Sequence, residues 1–95
     1  MLTGKQKRYL RSLASNEAAM FQIGKDALSD TLIMTVQSAF NTHELIKIRL
    51  LKTCPIDPKE AAFDLAMNTG SEVAQVIGHT IVLYKAAKNP VIILP

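Results

Sequence analysis

Apolar and polar positions along this chain follow two periods, and the switches between them mark out its elements. From Lys5 to Leu13, apolar residues fall at Tyr9, Leu10 and Leu13, with Leu2 and Gln6 a turn earlier. That spacing predicts a short helix with one buried stripe. Lys7, Arg8 and Arg11 lie three and four residues apart and share the opposite face, and Ser15-Asn16-Glu17 ends the helix. Ala19-Met20-Phe21-Gln22-Ile23, short, apolar and stopped by Gly24, predicts a buried strand. Beyond the loop Gly24-Lys25-Asp26-Ala27, with Ser29 or Asp30 as the cap, Leu32, Ile33, Val36, Ala39 and Phe40 recur at helical spacing.

From Leu45 to Leu51 the period is two. Ile46, Ile48 and Leu50 point one way, and Leu45, Lys47, Arg49 and Leu51 the other, which predicts a strand with a core face and a partly basic face. Asp57-Pro58-Lys59-Glu60 opens a third helix, with Asp at the N-cap and Pro at the first helical position. Ala62, Leu65, Ala66 and Thr69 make its buried stripe and Gly70 its stop. Glu72–Ile77 and Thr80–Tyr84 read as strands joined at Gly78-His79, a two-residue hairpin turn with Gly first. Residues 86–95 hold Pro90 and the apolar run Val91 to Leu94; the pattern leaves open whether they pack at an edge or hang free. The order α-β-α-β-α-β-β predicts an α/β class: a single compact domain over residues 1–95, with helices packed on a four-stranded mixed sheet. The two long amphipathic helices are expected on one sheet face, and the N-terminal helix at an edge or on the other side.

Composition narrows the function. Ninety-five residues allow one core, and 48% apolar content excludes a disordered chain. No apolar run approaches the roughly 20 residues of a membrane span. Met1-Leu2-Thr3-Gly4-Lys5 leads into charge rather than into the apolar stretch of a secretory signal, so a soluble cytoplasmic protein is expected. Cys54 is the only cysteine, which excludes an internal disulfide and a cysteine-based metal framework. The net charge of +3 is uneven: residues 1–52 carry eight Lys/Arg against four acids, residues 53–95 three against four. A basic half suits a polyanion such as nucleic acid, and it equally suits an ordinary solvated face.

Catalytic chemistry finds little to work with. His43 and His79 are the only histidines, Cys54 precedes Pro55 without an identifiable partner, and the acids form no helical ligand cluster. The four glycines make neither a dinucleotide nor a Walker loop. The expectation is no enzyme, no metal, no cofactor and no small-molecule substrate. A small hydrolase would have only Cys54 and His79 to offer.

The strand–loop–helix unit from Phe21 to Phe40 offers more. Gly24 allows close backbone approach, the helix start presents unpaired N–H groups, and Lys25 adds a cation, a combination able to grip a phosphate. A plain turn is the alternative, since Asp26 and Asp30 place negative charge nearby and Ala27 occupies the fourth position, at a cost of about 1 kcal/mol if φ is positive there. Lys47 and Arg49, about 7 Å apart on one strand face, could follow a phosphate track or simply be solvated. Tyr9, Phe21, Phe40, Phe63 and Tyr84 are scattered, and Phe40 and Phe63 fall on helices where core packing is the default. Binding to RNA would thus rest on backbone and shape rather than on aromatic stacking.

The chain resembles the YhbY-like proteins of the CRM family (chloroplast RNA splicing and ribosome maturation). The resemblance is carried by residues 2–11, Leu2-Thr3-Gly4-Lys5-Gln6-Lys7-Arg8-Tyr9-Leu10-Arg11, by Gln22-Ile23-Gly24-Lys25 and by His43-Glu44-Leu45-Ile46-Lys47-Ile48. Thr69-Gly70, Gln75-Val76-Ile77-Gly78 and Val82-Leu83-Tyr84-Lys85 complete it. It implies a fold akin to the C-terminal domain of translation initiation factor three and a partner in precursor large-subunit rRNA during ribosome assembly. The family's GxxG loop falls on Gly24, Lys25, Asp26 and Ala27, and two further RNA contacts fall on His79 and Lys85. With Lys5, Lys7, Arg8, Arg11, Lys47 and Arg49 these make the expected RNA-binding set, in a protein expected to act as a monomer. The alternative is a protein-docking module that binds a ribosomal protein or a second copy through a sheet edge or the 86–95 tail.

Overall fold

A computed structural model describes residues 2–95. The elements are α1 (Gly4–Ala14), β1 (Phe21–Ile23), α2 (Asp30–Ala39), β2 (Leu45–Leu50), α3 (Pro58–Thr69), β3 (Glu72–Ile77) and β4 (Thr80–Tyr84). Each helix starts where its side chains satisfy free N–H groups. Thr3 and Gln6 form a reciprocal capping box on α1, Ser29 rather than Asp30 caps α2, and Asp57 caps α3 ahead of Pro58. Gly70, at φ +69°, closes α3, and Gly78, at φ +56°, turns the β3–β4 hairpin.

The strands form one mixed sheet in the order β1-β2-β4-β3. β1 runs parallel to β2, and β4 lies antiparallel to both β2 and β3. The sheet therefore has an upper end, where β1 and β2 finish and β4 begins. At its lower end β2 and β3 begin and β4 finishes. β2 and β4 are the central strands; β4 is covered on both faces, while β2 is buried toward α2 and α3 and only partly covered on its other face. Ile23, Ile46, Ile48, Leu50, Ile81 and Leu83 pack against Val36 and Phe40 of α2 and Ala61, Ala62 and Leu65 of α3. On the other face, Ala74, Val82 and Tyr84 pack against Leu2, Leu10 and Ala14. The N-terminal helix thus lies across the sheet from α2 and α3. Each fully buried aliphatic side chain contributes about 1.5–3 kcal/mol, which makes two thin cores sufficient for a chain this short.

Two aromatic residues lie outside the expected cores. Tyr9 is 39% exposed, because the buried stripe of α1 runs through Leu10, Leu13 and Ala14, and Phe63 is 61% exposed beside Met67. In β3, Val73 and Val76 are three residues apart and would point to opposite faces of a regular strand. A bulge between Val73 and Gln75 rephases the strand, so both meet the α2–α3 side while Ala74 meets α1.

The tail is packed. Ile92 and Leu94 join the α1-side core, while Val91 and Ile93 face outward. Its anchor is the buried carboxylate of Glu44, just before β2, which accepts N–H bonds from Ala87 (3.1 Å), Val91 (2.6 Å) and Ile92 (2.8 Å). Burial opposes ionisation of Glu44, but the N–H groups of Ala87, Ile92 and Val91 outweigh it and hold the carboxyl below its ordinary 4.5. Burial raises the Tyr84 phenol above its usual range, with help from the charges of Glu44 and Glu72.

Two outcomes follow from this backbone. Ala27 holds φ +51°, a left-handed conformation that costs an L-residue about 1–2 kcal/mol, partly offset in glycine by chain entropy. Ala27→Gly should therefore raise the melting temperature, by about 3–6 °C in calorimetry. The depressed Glu44 carboxyl stabilises the docked tail at pH values above 4.5, and that contribution is lost as pH falls through the lower folded value. Glu44→Gln should speed hydrogen exchange at Val91 and Ile92 about tenfold at neutral pH and remove the acid step seen in the unsubstituted protein.

Candidate nucleic-acid interface

The upper end gathers three connections made at separate points in the chain. They are the Gly24–Ala27 turn after β1, the Leu51–Thr53 turn after β2, and the Gly78-His79 hairpin. The Leu51 N–H donates to the Ile23 carbonyl (2.8 Å) and the Leu50 N–H to the His79 carbonyl (2.7 Å), which ties all three together. Gly24 lies against the Leu51–Thr53 turn so closely that a Cβ there would touch Thr53 Oγ1 at 3.5 Å.

Within the first turn the Ala27 N–H donates to the Gly24 carbonyl (3.0 Å), which leaves Lys25 and Asp26 exposed at its tip. The N-terminus of α2 follows, with Ser29 Oγ accepting from Leu32 N–H at 3.1 Å. A cleft of about 310 Å³ opens there between the loop and the first turns of α2, lined by Gln22, Lys25, Asp26, Ser29 and Thr35 among others. It combines a lysine, a helix N-terminus and hydroxyls with the opposing carboxylate of Asp26.

Arg49 is exposed on the α1 side of β2, and its Cα partners are Gln22 on β1 and Thr80 on β4. It stands one residue below the upper end, beside the loop and the hairpin that carries the exposed His79. Lys52 is also exposed at this end, in the turn after β2. In sequence Lys52 is one charge among eight in the basic half; the pairing of β1 with β2 is what sets it beside the Gly24 loop.

The other cations have different surroundings. Lys47 Nζ donates to the carbonyls of Ala14 (3.3 Å) and Glu17 (3.1 Å), capping the end of α1. Lys85 Nζ donates to the Thr69 carbonyl at 3.1 Å and so closes α3 at the lower end, a full strand length from the loop. On α1, Arg11 reaches toward the hairpin, in a cleft with Lys47, Ile77 and Thr80. Lys7 instead lines a groove with Phe63, Met67 and Glu72 at the lower end. Arg8 folds back over Gly4, and Lys5 is exposed in the same first half of the helix. The fold thus brings together Gly24, Lys25, Asp26, Ala27, Arg49, His79 and Arg11. Lys5, Lys7, Arg8 and Lys85 lie away from them.

Cys54 is half-buried, with its thiol directed at the Ile56 carbonyl at 3.8 Å. Among the described residues no group of three or more His, Cys, Asp or Glu side chains is placed to hold a metal ion, and no helix is long and apolar enough to cross a membrane.

Comparison with known proteins agrees with the fold and adds kinship. A Bacillus subtilis protein named "Probable RNA-binding protein YqeI" is 45% identical over 94% of this chain and 93% of its own length. A Haemophilus influenzae "RNA-binding protein" is 29% identical over 99% of this chain and 95% of its own. The solution structure of the protein SAV1595 from Staphylococcus aureus superposes with a TM-score of 0.84 and 47% identity, each chain covered completely. The CRS1 / YhbY (CRM) domain matches residues 2–85, and with these relatives it shows that the chain belongs to the CRS1/YhbY (CRM) domain family.

Proposed function

We propose that this chain is a non-catalytic RNA-binding protein that holds RNA backbone at the upper end of its sheet. The observation that carries the proposal is the meeting of the Gly24–Ala27 loop, Arg49 and the hairpin at one end of the sheet. Lys25 and the first N–H groups of α2 engage one phosphate, and Arg49 and Arg11 engage others along the strand. Asp26 and Ala27 shape the loop. His79 adds a contact from the exposed hairpin. Lys5, Lys7, Arg8 and Lys85, away from this end, add long-range attraction, and Lys47 raises the local potential from its place at the end of α1. The family's named RNA-binding members support RNA as the partner.

The RNA we assign is precursor large-subunit rRNA, bound by a monomer in the cytoplasm during ribosome assembly, as the family resemblance implies. A second reading, docking on protein through the tail, draws on Val91 and Ile93, 85% and 81% exposed. Under that reading association would resist salt and fall on Val91→Ser with Ile93→Ser.

Titration against precursor rRNA fragments should give a log–log salt slope of roughly −2 to −4, the value for three to five phosphate contacts. A flat salt response would remove the electrostatic grip. Lys25→Glu should weaken binding about tenfold and reduce the slope by about one, whereas Lys88→Glu, on the exposed tail, should change affinity less than about twofold. Equal effects of the two would take the loop out of the site.

A further inference from the structure

Beside the proposed phosphate grip lies a second cleft of about 290 Å³, between the end of α1 and the upper part of the sheet. Its floor is apolar, made by Ile77, Val82 and Ala14, and its walls carry Arg11, Lys47, Ser15 and Thr80. No carboxylate lines it, unlike the clefts at Glu17, Glu72 and Asp26. Ile77 is 42% exposed, a large aliphatic surface on a row of β residues that otherwise reads Gln22, Arg49 and Thr80. Helix α1 ends before it covers this row.

From this we infer that the cleft holds one unstacked nucleobase of the bound RNA, a subsite that rests on the RNA-binding reading above. A base can rest on an apolar surface on one side and stack on a planar cation on the other, and the exposed Ile77 together with Arg11 supplies that pair. Hydroxyls at Thr80 and Ser15 can meet its polar edge. Arg49 connects the two clefts: its partner Gln22 lines the loop cleft and its partner Thr80 lines this one. Two strand spacings, about 10 Å, separate those partners. A strand whose phosphate sits at Lys25 can therefore place a neighbouring base here while its backbone crosses Arg49. A base paired in a continuous duplex cannot enter, so the ligand class is RNA with a bulged or single-stranded nucleotide.

The test compares two labelled RNA probes, a continuous duplex and the same duplex with a short single-stranded bulge. It uses the full chain, Ile77→Ser, which lowers the apolar floor without adding charge, and Ile77→Leu, which keeps that floor apolar. The unsubstituted protein should bind the bulged probe about tenfold more tightly, in line with one base held against a guanidinium. Ile77→Ser should reduce that preference to about twofold or less and Ile77→Leu should retain it, while duplex affinity, which also reports correct folding, stays the same in both. Equal affinity of the unsubstituted protein for both probes, or an undiminished preference in Ile77→Ser, overturns the subsite and leaves the phosphate grip standing. Absence of binding to either probe overturns the RNA-binding reading and the subsite with it.

Discussion

The pairing of β2 with β4 is the interaction on which everything else in this fold rests. Between them these two strands supply both cores: Ile46, Ile48, Ile81 and Leu83 one, and Val82 and Tyr84 of β4 the other. A sheet with two apolar faces must be covered twice, and a chain of 95 residues has little material for the second cover. Helices α2 and α3 cover one side. The other is left to α1, of eleven residues, and to the irregular tail that Glu44 fastens beside it. Cover therefore runs out at the upper end, and that is where the sheet presents Arg49, Ile77 and Thr80.

Several charged groups are committed to the structure rather than free to meet a ligand. Glu44 gathers three N–H groups of the tail. Two lysines are likewise committed, Lys47 at the end of α1 and Lys85 at the end of α3, where each meets carbonyls that the helix leaves without partners. Lys25, Lys52 and Arg49 are exposed and converge. A count of basic residues overstates the positive surface, because a cation that caps a helix keeps its charge but not its freedom to reach a ligand.

What could be read from the chain beforehand was what local periodicity encodes. The helix over Leu32 to Phe40, the Asp57-Pro58 start, the Gly70 stop and the Gly78 turn are all set by residues within a turn or two of one another. The element order followed from them, and the quoted loop and strand motifs disclosed the family. The parts that escaped depend on distant partners. Glu44 meets groups more than forty residues away, so nothing beside it in sequence marks it as an anchor. The β3 bulge moves Val73 and Val76 to one face, which simple alternation cannot anticipate. Tyr9 was assigned to a stripe that in three dimensions is centred on Leu10 and Ala14. Of the interface, the Gly24–Ala27 loop was legible. The commitment of Lys47, the remoteness of Lys85 and the position of Lys52 were not, since each is fixed by which strand ends meet.

The strand order carries a consequence for how the molecule forms during synthesis. β4 emerges after the other three strands yet inserts between β2 and β3. Until it is available, β1–β2 and β3 cannot join into one sheet, and the side chains of α1 lack Val82 and Tyr84 to pack on. A nascent chain stopped before residue 80 would hold open strand edges and uncovered aliphatic surface, the features that invite aggregation or chaperone capture. β4 must therefore be in place before β3 can join the β1–β2 pair in one sheet.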